Sequence, residues 1–273
     1  MKKIIWLSSY PKSGNTWMRH LIANYFYNKE KKFNHKIINH IKRFHITEYL
    51  EDSNERKIDK NIFKYWNLEQ KRISQGNYRA VFLKNHNANF KIDSKSFVSS
   101  EYTLGAIHIV RDPRDVVISA SNYYGLGEDQ MISNLINPKF INYSLNNSKN
   151  IDFVSSWKFH FHSWRQLGGI PYLFIKYEDM IKDIHKTFTI VMNFLADLIN
   201  FKVNYNQIEF SINSSSFEVL KKTETELKYK EINNGKPFFR SGESSQWKNK
   251  LNKTQLEILE NELKEELHLI EYI

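Results

Sequence analysis

Four short apolar runs, each emptying into a polar loop, constrain this chain more than any other feature. They are Ile4–Leu7 (IIWL), Arg79–Lys84 (RAVFLK), Ala106–Val110 (AIHIV) and Tyr172–Lys176 (YLFIK). Runs this short and this rich in Ile, Val, Leu and aromatics suit strands covered on both faces. Helical spacing fills the intervals: after Gly14, apolar residues recur at Met18, Leu21, Ile22, Tyr25 and Phe26. Asp112 and Pro113 read as the N-cap and first residue of another helix. Alternating strands and helices predict an α/β fold, a single domain over residues 1–273 with a central parallel sheet flanked by helices on both faces. In open sheets of this kind, ligands bind beyond the carboxyl ends of the strands. The loops bearing Lys12, then Lys84 and His86, then Arg111, then Tyr177 and Glu178 should therefore meet at one crevice.

Several lesser expectations complete the outline. Short helices are expected near Ile41–Leu50 and from about Ile62 to Ile73, and a loop with a short helix over 125–150. From Asp152, the positions Val154, Trp157, Phe161 and Trp164 follow a helical period that Gly168-Gly169 ends. Ile181, Ile184, Phe188, Val191 and Leu195 share one helical face, and Thr254 with Glu257 has capping-box spacing. The 41% hydrophobic and 15% aromatic content suffices for one core and argues against disorder. A net charge of +10 points to an anionic ligand or partner, although the Lys and Arg are spread along the chain. The absence of Cys excludes disulfides and Cys-ligated zinc. Met1-Lys2-Lys3 ahead of Ile4–Leu7 imitates a signal peptide, but the apolar run falls short of the roughly 7–15 residues needed. With no apolar stretch near the roughly 20 residues of a membrane span, a cytoplasmic protein is expected.

The first loop carries the most chemistry. A strand, a tight turn YPKSGNTW (Tyr10–Trp17) and a helix make an anion site, since free helix N–H groups face the turn and Lys12, Ser13 and Thr16 add donors. The Walker pattern requires Lys directly after the second Gly, whereas Lys12 stands two residues before Gly14. Lys84 and His86, two apart on an extended segment, point to the same side. His suits proton removal from a hydroxyl near neutral pH, though the pair also reads as a surface Lys before an Asn-rich turn. Arg111 ends a strand and can clamp an oxyanion, and Ser119 returns to the same helix face two turns past Asp112. An Arg–Asp surface pair is the plainer alternative.

Taken together, these segments resemble the cytosolic-type sulfotransferases, which move a sulfuryl group from 3′-phosphoadenosine 5′-phosphosulfate (PAPS). YPKSGNTW is similar to their 5′-phosphosulfate loop, with Asn15 in place of the usual Thr. FLKNHN is similar to their K-T-H segment, which implies a catalytic base at His86 and a Lys84 that holds the transferring group. IVRDPRDVVIS resembles the 3′-phosphate segment and implies that role for Arg111 and Ser119. YLFIKYEDM places Tyr177 near the nucleotide, and Ser214–Phe217 resembles a T-S-F segment that brings Ser215 to it. Phe217 and Trp17 would sandwich the adenine. Arg240-Ser241-Gly242 through Lys248 resembles R-K-G-x-x-G-D-W-K, with Ser241, Ser245 and Gln246 replacing Lys, Gly and Asp. The loop should be less permissive at position 245.

The resemblance runs from Ile4 to about Lys248 and implies a P-loop-containing nucleotide-hydrolase-like fold, PAPS as donor and PAP as product. In its scheme Lys12 stabilises the leaving phosphate and also binds it, together with Ser13, Gly14, Asn15 and Thr16; no metal takes part. The acceptor would be a small-molecule, glycan or lipid hydroxyl. Its candidate walls are Tyr25–Phe33, Tyr123-Tyr124-Gly125 and Pro237-Phe238-Phe239. A P-loop kinase or NTPase would need GK[ST] and a Mg²⁺-binding Asp. A non-catalytic nucleotide-binding or nucleic-acid module leaves the strand-end His beside Lys84 unexplained. Monomer and homodimer both stay open: Lys248 and Glu257 match a dimerisation segment in which Asn252 and Lys253 replace its T-V pair.

Overall fold

Ile4–Ser9 forms β1, and all six of its residues are buried. In the computed structural model, which describes residues 2–32, 34–46, 62–92, 95–143, 151–227 and 238–273, this strand is the middle of a five-stranded sheet. The order is β2 (Lys42–Arg43), β3 (Val81–Asn85), β1, β6 (Thr103–Val110) and β9 (Tyr172–Lys176), with every pairing parallel. Ser8 stands beside Asn85 on one side and His108 on the other, and Val110 stands beside Lys176, so the carboxyl ends finish level. The chain builds β2 and β3 on one side of β1, then crosses to build β6 and β9 on the other. This reversal of strand order at β1 opens a crevice above its end.

Alternation along β1 explains both layers. Ile5 and Leu7 face α1 (Asn15–Tyr27), α7 (Ile184–Ile199) and α8 (Tyr205–Ser214) through Met18, Leu21, Phe188, Val191 and Ile208. Ile4 and Trp6 face Phe44, Trp66 of α2 (Ile62–Ser74), Phe97 and Trp164 of α5 (Trp157–Arg165). Trp6 Nε1 satisfies itself on Thr103 Oγ1 at 3.0 Å. A third cluster joins α3 (Pro113–Tyr124), α4 (Glu128–Ile136) and α5 to α11 (Lys253–Glu262) and α12 (Lys264–Leu269).

The four expected strands are all present, and α2 and the Asp112–Pro113 helix start hold, with Asp112 accepting from Arg114 N at 2.9 Å. Elsewhere local patterns were overridden. In place of a helix near Ile41–Leu50 stand a 3₁₀ turn (His35–His40) and edge strand β2; residues 47–50 lie outside the described set. Residues 151–153 form β8 (Ile151–Phe153), antiparallel to β7 (Ile141–Tyr143), and α5 starts only at Trp157, where Ser156 caps it. The Ile181–Leu195 face is split into α6 (Tyr177–Lys182) and α7 because Asp183 turns to accept from Lys186 N. The capping box belongs to Asn252 and Gln255, whose side chains bond each other's amides at 2.9 and 3.0 Å, and not to Thr254 and Glu257. The remaining elements are β4 (Lys91–Ile92) with β5 (Lys95–Ser96), α9 (Phe217–Leu227) and α10 (Trp247–Lys250).

Arg114 locks α3 to the C-terminal helices. Its buried guanidinium bonds Asp112 (2.9 and 3.0 Å), Glu260 (2.8 Å) and the Tyr272 carbonyl (3.0 Å), and lies 3.9 Å over the Trp247 ring. Deleting one member of a buried network leaves the others desolvated and uncompensated. Arg114→Ala is therefore expected to remove about 3–5 kcal/mol of stability; the urea midpoint followed by circular dichroism measures it.

Candidate active site

The loop after β1 curls tightly because two of its residues are left-handed, Lys12 at φ 66° and Gly14 at φ 96°. Gly14 is the N-cap of α1 and supplies no side-chain cap, so the first-turn N–H groups of the helix keep their donor capacity. A Cβ on Gly14 would stand 2.6 Å from Tyr177 Cδ2, so that ring packs on the bare backbone. Asn15 pins the loop to β1 by donating to the Leu7 carbonyl at 2.9 Å. Ser13 is buried, and its hydroxyl has no protein partner.

Tyr177 couples the first loop to the third. Its other surroundings are the Arg111 guanidinium, 4.4 Å from the ring centre, and the Trp17 indole in edge contact at 6.2 Å. Arg111 donates to the Lys12 carbonyl (3.2 Å) and the Glu243 carbonyl (3.0 Å), while its buried Nε has no partner. Trp17 Nε1 donates to the Ser215 carbonyl at 2.9 Å. Ser215 itself is fully buried, with its hydroxyl turned to Asn24 at 3.1 Å.

These elements enclose a cleft of about 720 Å³, part of it open to solvent. Lys12, Gly14, Thr16 and Trp17 line it from the first loop, Arg111 and Ser119 from β6 and α3, and Tyr177 from α6. Phe217 enters from α9, and Arg240, Ser241 and Gly242 close the far side. Gly242, at φ 66°, lies where a Cβ would meet Phe217 at 2.6 Å. The sequence reading missed Leu220, which follows Phe217 by three residues and so shares its helix face, and Phe239 and Gln246 also reach the cleft. Among the described residues the lining holds three cations and no carboxylate, and Ser13 Oγ and Arg111 Nε are donors without partners at its edge. Such a donor set fits a polyanion.

Lys12 does not stand bare in this cleft. Its ammonium lies 3.6 Å from the Phe238 ring centre and 3.9 Å from that of Tyr123, a cation–π clamp. The two proposed acceptor walls thus meet the first loop here, although Pro237 lies outside the described residues. Tyr25 and Phe26, by contrast, pack against Phe82, Phe188 and Phe201 at the far end of α1, well away from the cleft, and Phe33 is outside the described set. Helix geometry accounts for this: the side chains are about 15 Å along α1 from its N-terminus.

His86 and Lys84 do not line the cleft; they stand at the end of β3, beside β1. His86 Nδ1 is 2.8 Å from the Ser9 carbonyl and 3.3 Å from its hydroxyl. A carbonyl can only accept, so Nδ1 carries the proton and Nε2 keeps its lone pair. Burial first, and then the Lys84 charge, push the ring's pKa down to about 3, while Asp152 opposes them. Asp152 is buried and ion-paired with Arg43; burial raises its pKa, but Arg43 and His86 prevail and hold it below the usual range. Asn87, next to His86, accepts from Phe153 N at 2.8 Å, which ties β8 to this corner.

Two more buried histidines lie under the site. His108 Nδ1 is 3.1 Å from the Tyr172 hydroxyl and its ring is 5.4 Å from that of His160. Burial, then Arg165, pushes His108 down to about 3; burial, then His108 and His86, pushes His160 well below its ordinary value. Asp112, which a Mg²⁺-dependent reading would need, is spent on Arg114. No cluster of His, Asp and Glu among the described residues could hold a metal ion.

Comparison with known proteins gives this arrangement a context. The sulfotransferase domain model matches residues 2–271. Sulfotransferase 2A6 of Mus musculus is 28% identical over 60% of this chain and 56% of its own length. Luciferin sulfotransferase of Photinus pyralis is 28% identical over 90% of this chain and 66% of its own length. The chain thus spans less than two thirds of these relatives. In fold, it is similar to retinol dehydratase solved with androsterone and the inactive cofactor PAP, with a TM-score of 0.63 at 18% identity, covering 97% of this chain and 80% of the other.

The histidines make stability depend on pH in a defined direction. Their folded pKa values lie below the ordinary 6.5, so the unfolded chain takes up protons first as pH falls. The stabilisation from keeping them neutral is complete above about 6.5 and is lost as pH falls from there toward 3. The urea midpoint is expected to be lower at about pH 5 than at about pH 7.5. His108→Asn should shrink that difference.

Proposed function

The chain belongs to the sulfotransferase family, and from that membership we propose that it transfers the sulfuryl group of PAPS to an acceptor hydroxyl, its 273 residues acting as one domain. The observation that carries the reading is the cleft itself. Segments far apart in sequence bring three cations, hydroxyls, uncapped helix amides and aromatic faces together, with no carboxylate among the described residues that line it. PAPS supplies the activated sulfuryl group, and PAP remains after transfer.

The residues divide by chemistry. Ser13, Gly14, Asn15 and Thr16 hold the 5′-phosphate through backbone and hydroxyl donors at the start of α1. Trp17 and Phe217 cover the adenine faces, with Tyr177 and Ser215 supporting the nucleoside end. Arg111, Ser119, Arg240, Ser241 and Gly242 hold the 3′-phosphate. The orphan donors Ser13 Oγ and Arg111 Nε support these assignments, since buried donors are ordinarily satisfied.

His86 serves as general base. With Nδ1–H held by the Ser9 carbonyl, Nε2 accepts the acceptor's hydroxyl proton. The depressed pKa keeps the ring neutral, as a base must be before it acts. Lys12 neutralises charge on the leaving phosphate oxygen and Lys84 on the sulfuryl oxygens, so positive charge is in place where negative charge develops. The Tyr123 and Phe238 rings hold the Lys12 ammonium at the cleft. No metal is required by this scheme. The acceptor is a hydroxyl compound, small molecule, glycan or lipid, admitted on the side of Tyr123 and Phe238. Among the described residues no helix is long and apolar enough to cross a membrane, and we assign the reaction to the cytoplasm.

Adenosine 3′,5′-bisphosphate should raise the melting temperature, because a ligand of the native state alone stabilises it, whereas ATP with Mg²⁺ should do less. A larger response to Mg·ATP would favour a kinase and defeat the reading. His86→Ala is expected to lower kcat by about 10²–10⁴-fold. Calorimetry should find its affinity for the bisphosphate nearly unchanged; a variant that keeps its activity would remove His86 from the role of base.

A further inference from the structure

Asp115 is a buried carboxylate in the first turn of α3, four residues from Arg111 and beside a cleft that is otherwise cationic. A negative charge next to an anion site works against binding unless its lone pairs are used for something else. Both oxygens are used, and on one segment. Oδ2 accepts from Ser245 N at 2.6 Å, and Oδ1 accepts from Trp247 N at 3.1 Å.

That segment is the clasp that closes the cleft. Arg240, Ser241 and Gly242 line it, Gly242 packs on Phe217, and Arg111 grips the clasp by donating to the Glu243 carbonyl at 3.0 Å. Arg111 and Asp115, from the same strand–helix junction, therefore hold the clasp on either side of residue 244. Between these grips the backbone needs a left-handed residue, and it is Ser245, at φ 61°, that adopts this conformation. A side chain there is strained, and Ser245 is exposed. The bond from its amide to Asp115 keeps the turn closed.

We propose that Asp115 is a positioning residue of the transfer reaction: its carboxylate holds residues 240–247 in the conformation that receives the 3′-phosphate of the donor and offsets the strain at Ser245. The inference rests on the sulfotransferase reading. It separates Asp115 from general stabilisers of the fold, because only the contribution of the 3′-phosphate should depend on it.

Titration calorimetry with adenosine 3′,5′-bisphosphate and with adenosine 5′-phosphate, on wild type and Asp115→Asn, tests this. The Asn side chain retains one acceptor and presents an amide N–H₂ to the other donor. The bisphosphate should bind the variant at least about tenfold more weakly, the scale of one lost bond to a charged group. Adenosine 5′-phosphate should bind it within about twofold of wild type. KM for PAPS should rise with the bisphosphate Kd, and kcat at saturating PAPS should hold. Adding Ser245→Gly to Asp115→Asn should restore part of the lost affinity, since glycine adopts the turn unaided. If Asp115→Asn fails to fold, Ser245→Pro at the exposed end of the same bond deletes the amide donor and forbids the positive φ, and should show the same selective loss. Unchanged bisphosphate affinity in the folded variant, or an equal loss for both nucleotides, overturns the proposal. A wild-type protein that ignores the bisphosphate overturns the sulfotransferase reading instead.

Discussion

The contact between the Tyr177 ring and the bare backbone of Gly14 organises the site. With a Cβ 2.6 Å from that ring and φ at 96°, no other residue could occupy position 14 without moving the first loop or α6. The ring can lie there because β9 delivers Tyr177 at the level where β1 ends. It can then meet the Arg111 guanidinium on its surroundings and Trp17 on its edge. Loop, cation and aromatic wall are thereby fixed to one another before any ligand arrives. Pre-arranged groups of this kind lower the ordering cost of binding.

The same packing accounts for the division of labour along the strand ends. Lys12 and Arg111 reach the cleft from the ends of β1 and β6 and Arg240 from the segment after α9, whereas His86 follows the end of β3, on the other side of β1. In the proposed reaction, donor and acceptor therefore approach the reacting centre from opposite sides of the central strand. Burial keeps His86 neutral, and Lys84 adds to that pressure; in the proposed reaction a bound anion would relieve it and strengthen the ring as a base. The clamp of Lys12 between Tyr123 and Phe238 links the anion loop to aromatic residues on the acceptor side.

The parts legible in the sequence were those that local rules determine. Ile4–Leu7 read as a buried strand because its run is uninterrupted, and Gly14 and the Asp112–Pro113 cap read correctly because glycine suits a left-handed turn and Asp followed by Pro suits a helix start. Ser119 reached the cleft by helix geometry alone. What the sequence concealed was long-range. Nothing near Asp115 announces a partner 130 residues away, or near Lys12 a partner ring at position 238. The Val154–Trp164 period was real for α5, but β7 claimed residues 151–153 by pairing, and Asp183 broke a pattern whose apolar spacing gave no hint of it. Ser215 was expected near the nucleotide, and the bonds that fix it there, its carbonyl accepting from Trp17 and its hydroxyl from Asn24, join residues about 190 or more positions apart that no local rule reveals.

The departures from the family pattern in the clasp form a connected set. Gln246, where an Asp is usual, accepts from Arg240 and donates to Ser241 Oγ at 2.7 Å, so it ties together the two residues that precede Gly242. An Asp could accept from Arg240 but could not donate to Ser241. The serine, in turn, offers an acceptor that the usual Lys would not. Ser245, where Gly is usual, takes the left-handed conformation at about 1–2 kcal/mol, and a buried carboxylate holds its amide. Together with Asp115, these side chains hold the clasp through hydrogen bonds where the family pattern has a cation and a glycine. In the proposed reading one charge fewer faces the 3′-phosphate, and directed bonds from Gln246 and Asp115 hold the clasp that receives it.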